Sequence, residues 1–334
     1  MQINHLRRRE FITHLGGAAV AFPLVARAQQ PERVKKIGVF MFSDTTDVEA
    51  HKRLTAFQQR LQQLGWTEGR SIRIDYRWAA GELNRMRVYA AELVSLAPDA
   101  ILATNGPTLE ALRQETRTVP MVFVAIPDPI AGGYVASLAH PGGNITGFTH
   151  FEYAIGGKWL EMLKEIAPRV TKVAVIWNPK NVSVNGYWPV IKAAAPSFAV
   201  EPIATHVQNA AEIERAIDSL AHESNVGLIV LPDFTTTVHR ELIIALAARY
   251  QFPAIYPFRY FVADGGLVSY GINLSEVYRQ AASYIDRILR GEKPGDLPVQ
   301  TPTKFELVIN LKTAKALGLD VPLFFQQRAD EVIE

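Results

Sequence analysis

The sequence contains no cysteine among its 334 residues. Disulfide bonds, thiolate nucleophiles, thiolate metal ligands and lipid attachment through a cysteine are therefore not expected. No apolar run reaches the roughly 20 residues that a membrane-spanning helix needs. Neither sign of charge is in large excess, because the sequence contains 35 basic and 33 acidic residues. With 48% hydrophobic and 20% charged residues, the composition is typical of a globular protein.

The first 28 residues have the layout of a secretory signal. The arginines of 7–9 precede an apolar run, and small residues at Ala26 and Ala28 follow it. This order predicts a signal peptide over 1–28 that is cleaved after Ala28. The pair Arg8-Arg9 resembles the twin-arginine (Tat) motif of proteins that are exported folded. An amphipathic helix packed on the domain, or a DNA-binding arm, is the alternative.

Removal of this segment changes the charge balance. The segment has a net charge of +3 while the whole chain has +2, so the remaining residues are close to −1. A chain with that charge offers no electrostatic attraction for nucleic acid or for a membrane surface. An exported chain without a lipid anchor is expected to be soluble in a periplasm.

Short apolar strands alternate with amphipathic helical patterns over the rest of the chain. This alternation is typical of a parallel sheet with helices on both faces. The series occurs twice, and matched positions are separated by a nearly constant 128 to 136 residues. The predicted strands 35–40, 71–79, 99–104 and 120–126 return as 171–179, 200–207, 226–233 and 252–258. The sequence therefore predicts an α/β protein of two doubly wound, Rossmann-like lobes.

The pattern changes after residue 258, where a strand (266–273), a long helix (275–290) and another strand (305–310) follow. Short strands that leave and re-enter the series indicate that the chain crosses between the lobes more than once. We predict a first lobe of 34–147 plus 271–304 and a second lobe of 148–270 plus 305–334. Hinge strands are expected near 146–148, 268–272 and 303–307.

Polar and aromatic residues follow the predicted strands in both lobes. Ligands bind outside the carboxyl ends of the strands in open parallel sheets. Hydroxyls, amides, carboxylates and aromatic rings there fit a small zwitterion with an aromatic or apolar side chain. The predicted ligand-binding residues are Ser43, Asp44, Thr104, Asn105, Asp128, Asn178, Asp233, Tyr256, Phe258 and Asn273.

Each of these residue types also has a structural interpretation. Thr104 and Asn105 precede a helix, where they could cap free N–H groups or hold a ligand carboxylate. Asp128, between two prolines, suits a turn as well as a ligand contact. Asp233 could cap the next turn or bind a ligand ammonium group. The rings of Tyr256 and Phe258 could pack within the lobe or stack on a ligand.

Sequence motifs of catalysis are missing. There is no G-x-S-x-G, H-E-x-x-H or P-loop motif, and "GGLVSYG" lacks the spacing of a dinucleotide fingerprint. The eight histidines are scattered, without metal-ligand spacing on a helix. We therefore predict a protein that is not an enzyme, with no cofactor, no metal and no catalytic residues.

Four segments together resemble a known family. They are "GWTEGRSIRIDYRWAAG" (65–81), "AAELVSLAPDAILATNGP" (90–107), "VPMVFVAIPDPIAGGYVASLAHPGGNITGF" (119–148) and "KWLEMLKEIAP" (158–168). They look like the substrate-binding proteins of ABC importers, in the group with tryptophan- and tyrosine-binding members. The resemblance implies the type I periplasmic-binding fold, in which a three-stranded hinge joins two α/β lobes.

The resemblance also implies a function. It implies that the chain binds a small molecule, expected to be an amino acid or a related zwitterion, in the cleft by lobe closure. It implies delivery to an inner-membrane ABC permease by a chain expected to be monomeric. Carried over by position, it again favours Ser43, Asp44, Thr104, Asn105, Asp233 and Tyr256. A ligand-sensing subunit of a membrane signalling protein, or a cleft-based hydrolase or isomerase, is the alternative.

Overall fold

The computed structural model describes residues 33–181 and 184–334. Residues Val34–Glu334 form one compact unit. The predicted signal peptide, with its twin-arginine pair and cleavage position, lies outside the described residues.

Two sheets form the centre of the molecule. The first contains five parallel strands in the order β2-β1-β3-β4-β5. Its strands are β1 (Lys35–Met41), β2 (Ile72–Trp78), β3 (Ala100–Ala103), β4 (Met121–Ile126) and β5 (Ile145–Thr149).

The second sheet repeats this order and extends it. Its strands are β6 (Lys172–Trp177), β7 (Glu201–His206), β8 (Val226–Val230), β9 (Ala254–Tyr256), β10 (Val268–Gly271), β11 (Glu306–Asn310) and β12 (Glu331–Ile333). They lie in the order β7-β6-β8-β9-β10-β11-β12, with only β10 and β11 antiparallel. The same order of five strands in both sheets confirms the predicted duplication and the two α/β lobes.

Helices cover the faces of both sheets. They are α1 (Val48–Gln63), α2 (Leu83–Ser95), α3 (Gly106–Glu115), α4 (Ile155–Ile166), α5 (Tyr187–Ala194), α6 (Ala210–Ser219), α7 (Phe234–Val238), α8 (Arg240–Arg249), α9 (Arg259–Ala263), α10 (Leu274–Leu289), α11 (Leu311–Ala316) and α12 (Leu323–Gln327). Short 3-10 turns occur at Ala195–Phe198 and Pro294–Asp296.

Local sequence explains where these elements begin and how they pack. Strands β3 and β8 are buried along their whole length, as expected for parallel strands covered on both faces. Helix α1 begins at Asp47, whose side chain accepts the N–H of Ala50 at 3.1 Å. Helix α1 then buries an apolar stripe that includes Leu54 and Phe57.

The chain passes between the two sheets three times. It leaves the first sheet after Thr149 and enters α4, which contacts β8 and β9. It leaves the second sheet after Gly271 and enters α10, which packs on α1, β3, β4 and β5 of the first sheet. It returns to the second sheet at β11. These crossings occur near the predicted hinge positions, and they give the three-stranded connection that the resemblance implies.

Backbone contacts hold the crossings together. Gln300, in the third crossing, donates its N–H to Gly147 at 3.0 Å and accepts the N–H of Thr149 at 2.8 Å. Gly271, at the second crossing, has no room for a side chain, since an added Cβ would lie 1.8 Å from the Pro257 carbonyl oxygen. The hinge region is therefore tightly packed around its backbone.

Candidate functional site

Loops from the carboxyl ends of the two sheets touch each other. The ring of Phe42, just after β1, meets the ring of Phe234, at the start of α7, edge-on with a centroid separation of 4.3 Å. Gly81, in the loop after β2, also packs on Phe234, so that an added Cβ would lie 2.5 Å from the ring. Because these contacts join the two lobes across the cleft, the structure shows the lobes closed on each other.

The first lobe contributes Ser43 and Asp44 to this edge. Asp44 is exposed, and its carboxylate accepts the backbone N–H of Thr46 at 2.9 Å and the Thr46 hydroxyl at 2.8 Å. These bonds lower the pKa of Asp44. Ser43 is half-buried, and its carbonyl accepts the N–H of Ala80 at 3.2 Å. Both residues lie where the strand pattern placed them, at the cleft edge.

Thr104 and Asn105 have structural roles at the end of β3. The Thr104 hydroxyl donates to the carbonyl of Phe40 and accepts the N–H of Phe42, both at 3.0 Å. Asn105 forms a capping box with Thr108 at the start of α3. The capping interpretation therefore describes Asn105, whereas Thr104 bonds to the backbone at the end of β1. Both residues remain at the cleft edge.

Asp128 forms a turn after β4. Its Oδ1 accepts the N–H groups of Ile130 at 3.2 Å and Ala131 at 2.9 Å. Its charge also reaches Tyr153, in the first crossing. Burial, and then this negative charge, raise the pKa of the Tyr153 hydroxyl. Asp128 is therefore a turn residue whose charge has an electrostatic effect on the first crossing.

Asp233 fixes the corresponding edge of the second lobe. It is 3% exposed, and one carboxylate oxygen accepts the N–H of Thr235 at 2.8 Å. The other accepts the side-chain amide of Asn181 at 2.8 Å. Burial raises the pKa of Asp233, and these hydrogen bonds partly offset that effect. Asn178 donates its amide to the Thr235 hydroxyl at 3.0 Å, so it belongs to the same network.

The last three predicted residues lie in different places. Tyr256 is 1% exposed and stacks on Phe261 within the second lobe, which is the packing alternative and argues against a ligand contact. Asn273 caps α10 and donates to Glu306 at 3.1 Å. It lines a groove of about 700 Å³ between α10 and the crossings. Phe258 is 6% exposed and lies nearer the hinge, in an aromatic row described next.

An aromatic row runs from the hinge into the cleft. His150, in the first crossing, meets the ring of Phe258 edge-on at 5.4 Å. Phe258 stacks on Tyr260 at 5.3 Å, and the guanidinium of Arg240 lies 5.7 Å from the Tyr260 ring centre. Burial lowers the pKa of His150 to about 3 and raises the pKa of Tyr260 to about 12. Both side chains are therefore neutral near pH 7.

The sequence analysis missed a buried arginine beside this row. Arg53, on α1, is 8% exposed, and its Nη2 lies 3.5 Å from the Asp47 carboxylate. Burial by itself lowers the pKa of Arg53, but Tyr278, Tyr260 and Asp47 interact with its charge and raise the pKa above its ordinary value. The signal was present, because Arg53 lies between Ala50 and Phe57 at helical spacing.

Four buried polar atoms have no hydrogen-bond partner in the part of the chain that the structure describes. They are Arg53 Nε, His150 Nδ1, Tyr260 Oη and Ser269 Oγ. Buried polar groups are normally paired, so water or another molecule would have to supply the missing partner of each of these atoms. Three of the four belong to Arg53 and the aromatic row.

The described residues show neither metal-site nor membrane-span features. Residues 33–181 and 184–334 contain no group of three potential metal-ligating side chains. Over the same residues, no helix is both long and apolar enough to cross a bilayer.

Two facing α/β lobes with polar and aromatic loops between them define a two-lobed solute-binding protein. The chain belongs to the family described as ABC transporter substrate binding protein, whose model matches residues 36–333. Members of this family bind small molecules and work with ABC permeases, and they are not enzymes. The predicted family and the prediction of a non-enzyme are confirmed.

Individual relatives agree with this assignment. A tyrosine-binding protein of Clostridioides difficile (strain R20291) is 27% identical over 288 residues, covering 86% of this chain and 82% of that protein. The ABC domain from Streptococcus pneumonia in complex with L-Trp has a TM-score of 0.83 at 24% identity, covering 90% of this chain and 99% of that one.

A third relative is a ligand-free, open substrate binding protein from Clostridium difficile. Its TM-score is 0.68 at 25% identity and the same coverage of 90% and 99%. Both solved structures share the two-lobed fold of this chain.

Proposed function

We propose that this protein is the periplasmic solute receptor of an ABC importer, and that it binds an amino acid or a related zwitterion between its lobes. It is exported with a signal peptide over 1–28, acts as a monomer, and delivers its ligand to an inner-membrane permease. The lobes comprise 34–147 plus 271–304 and 148–270 plus 305–334, and they rotate about the three crossings.

One observation supports this function above the others. The carboxyl edges of the two similar sheets meet, and side chains from both sides touch across the cleft. A small molecule that contacts both edges shifts the population toward the closed form by its differential affinity for that form. Closure around a solute is the conformational change that such a hinge permits.

The proposed ligand set follows the cleft edges. We retain Ser43, Asp44, Thr104, Asn105, Asp128, Asn178 and Phe258, and we add His150, Arg53, Tyr260 and Tyr278. Asp233 is kept as a residue that positions the 178–181 loop. Tyr256 and Asn273 are left out because of where they lie.

A test of closure uses a pair of fluorescent labels. The full chain has no cysteine, so Arg87→Cys on α2 and Glu214→Cys on α6 label one exposed position in each lobe. Transfer efficiency is measured with each L-amino acid and with ribose and sorbitol. We expect at least one amino acid to change the efficiency with saturation, because its contacts stabilise the closed form.

The control pair places both labels in one lobe. Arg87→Cys with Gln114→Cys, on α2 and α3, should show no change with the same solutes. A response to a sugar but to no amino acid would contradict the proposed ligand class and retain the receptor. Silence with every solute would contradict solute binding by closure.

Export is tested separately. The full chain is expressed in a Gram-negative host, and periplasmic and cytoplasmic fractions are compared by immunoblot. We expect the protein in the periplasm, shortened by 28 residues. Replacing Arg8 and Arg9 by lysines should retain it in the cytoplasm. Unchanged export of that variant would contradict the twin-arginine route.

A further inference from the structure

Two unpartnered hydrogen-bond donors lie close together but belong to opposite lobes. Arg53 Nε is on α1 of the first lobe, and Tyr260 Oη is on α9 of the second. Their residues are 8% and 9% exposed, so water does not readily replace a missing partner. The charge of Arg53 acts on the Tyr260 hydroxyl, which shows that the two groups are near each other.

Within the described residues, neither Arg53 Nε nor Tyr260 Oη has an acceptor in hydrogen-bond geometry. The Tyr278 hydroxyl also interacts with the Arg53 guanidinium, but it leaves Nε unpaired. The nearest carboxylate, Asp47, caps α1 through Oδ1 and reaches only Arg53 Nη2, at 3.5 Å. Thr237 lies near the Tyr260 hydroxyl, but without hydrogen-bond geometry. Leaving a buried guanidinium N–H unpaired is costly, so a residue kept in this state indicates an acceptor from outside the chain.

We propose that Arg53 and Tyr260 bind the carboxylate of the ligand, and that this carboxylate, rather than an ammonium group, is what the cleft recognises. The inference rests on the proposed function and specifies its ligand class. The planar guanidinium fits a carboxylate, and a buried N–H bonded to a charged acceptor is stronger than a neutral pair.

The charge balance favours a monoanion over a phosphate. Arg240, the second cation of the cluster, is already paired with Asp264 at 2.7 Å. Asp47 lies beside Arg53 and would repel a dianion. Both guanidiniums thus already have a carboxylate partner, and the cluster has no excess positive charge that would hold a second negative charge.

Asp233, the residue predicted for an ammonium group, is buried and already hydrogen-bonded within its own lobe. Both carboxylate oxygens of Asp233 accept hydrogen bonds from within the second lobe, from Thr235 and Asn181. Tyr260 instead stacks on the ring of Phe258, which makes this side of the cluster aromatic. The site thus suits a carboxylate with an apolar or aromatic body.

Two sets of matched probes test this. The first is L-tryptophan, indole-3-propionate and tryptamine, and the second is L-leucine, 4-methylpentanoate and 3-methylbutylamine. Each set contains the zwitterion, the acid without the amine, and the amine without the acid. Binding to the full chain is measured by calorimetry and thermal shift, with ribose and sorbitol alongside.

We expect the acids of at least one set to bind and its amine to bind at least about tenfold more weakly, as for loss of a hydrogen-bonded charge. In Arg53→Met the affinity for the acid should fall about tenfold to a hundredfold. Arg53→Lys keeps the positive charge but loses the planar, two-pronged guanidinium. Its affinity for the acid should lie between those of the wild-type protein and Arg53→Met. Arg279→Met is the matched control, because Arg279 is exposed on α10 and its removal should leave binding unchanged.

Tyr260→Phe is the second variant, and it keeps the ring while removing the hydroxyl. Its affinity for the acids should be several-fold lower, and the thermal midpoint of the free protein should be unchanged, since the hydroxyl has no partner.

If Arg53→Met fails to fold, Tyr260→Phe and the series of probes with the wild-type protein still test whether the cleft binds a carboxylate. Amines that bind as well as acids, or ribose or sorbitol as the only ligand, would overturn the role of Arg53 while leaving the receptor function intact. Silence of every probe would overturn both.

Discussion

His150 is a neutral histidine in the first crossing between the lobes. It is 5% exposed, and burial lowers its pKa to about 3, below the ordinary value of 6.5. The unfolded chain therefore takes up a proton at this residue between pH 6.5 and 3, while the folded protein does not. The resulting stability is fully present above pH 6.5 and is lost as the pH falls.

This predicts a measurable slope. Between pH 6.5 and 4, His150 should make the free energy of unfolding fall by up to about 1.4 kcal/mol per pH unit. His150→Leu removes this contribution while keeping every carboxylate, so the variant's curve should be flatter. Urea unfolding at several pH values provides the measurement. Parallel curves for the two proteins would contradict a neutral buried imidazole.

Asp233 is predicted to stabilise the second lobe. Asp233→Ala removes the cap of α7 and leaves the Asn181 amide without its acceptor. We expect a loss of about 1–3 kcal/mol in the free energy of unfolding, and a smaller loss for Asp233→Asn, which keeps an acceptor. Denaturant unfolding measures both.

Asn209→Ala is the control for this prediction. Asn209 caps α6 at an exposed position, where its side chain accepts the N–H of Glu212 at 3.0 Å. Loss of an exposed cap should cost about 1 kcal/mol. An equal or smaller loss in Asp233→Ala would show that burial adds nothing to the role of Asp233.

Side-chain roles were only partly readable from the sequence. Strand ends located the cleft edges, and the cap and turn interpretations of Asn105 and Asp128 match their hydrogen bonds. Whether these residues bind a ligand stays a prediction. Arg53 was missed because a single charged residue in an apolar stripe looks like an interruption until the packing of another helix covers it. Tyr256 is the opposite case, because it was predicted to contact a ligand but packs inside the second lobe. Its strand has only three residues, too few for the sequence pattern to show which face is buried.

At the scale of elements, hydrophobic periodicity was sufficient for most of the fold. The predicted strands of both series and the long helix predicted over 275–290 agree with the structure within a few residues, because continuous apolar runs and amphipathic helical patterns are strong local signals. Strand β5 was expected only as a hinge strand near 146–148, and β12 was not predicted. Gly147 interrupts the first, and the second has only three residues.

Two glycines should respond in opposite ways to substitution by alanine. At Gly157, within α4, an added Cβ would meet Ala194 at an ordinary 3.8 Å. Gly157→Ala should therefore stabilise the protein by about 0.5–1 kcal/mol. At Gly271 the Cβ would overlap the Pro257 carbonyl, so Gly271→Ala should destabilise it strongly. Thermal unfolding of both variants measures this; equal midpoints would mean that the second crossing is not tightly packed.

At the scale of the whole molecule, the duplication explains why the architecture was predictable and the lobe arrangement was not. The two lobes could be predicted because the same series of strands occurs twice in the sequence at a nearly constant separation. The closed contact joins a loop residue, Phe42, to the first residue of α7, Phe234, and neither residue belongs to a periodic apolar pattern. Such contacts are set by tertiary packing and cannot be inferred from local sequence.

Phe234→Ala should shift the protein toward an open form. An edge-to-face aromatic pair contributes about 0.5–1.5 kcal/mol, so its loss should weaken ligand binding about two- to twelvefold. Small-angle X-ray scattering should show a larger radius of gyration for the ligand-free variant. Phe324→Ala, at an exposed ring on α12, is the control and should leave the radius unchanged. A compact Phe234→Ala protein would mean that other contacts hold the lobes together.

The position of α10 also affects the order in which a newly made chain can fold. This helix follows ten strands in the sequence, yet it covers α1 and three strands of the first sheet. While the ribosome is still synthesising residues before 274, the amino-terminal half has no cover for that apolar surface. The first lobe to be translated is therefore not the first that can be completed, and its earliest residues must wait for a late helix before they reach their native surroundings.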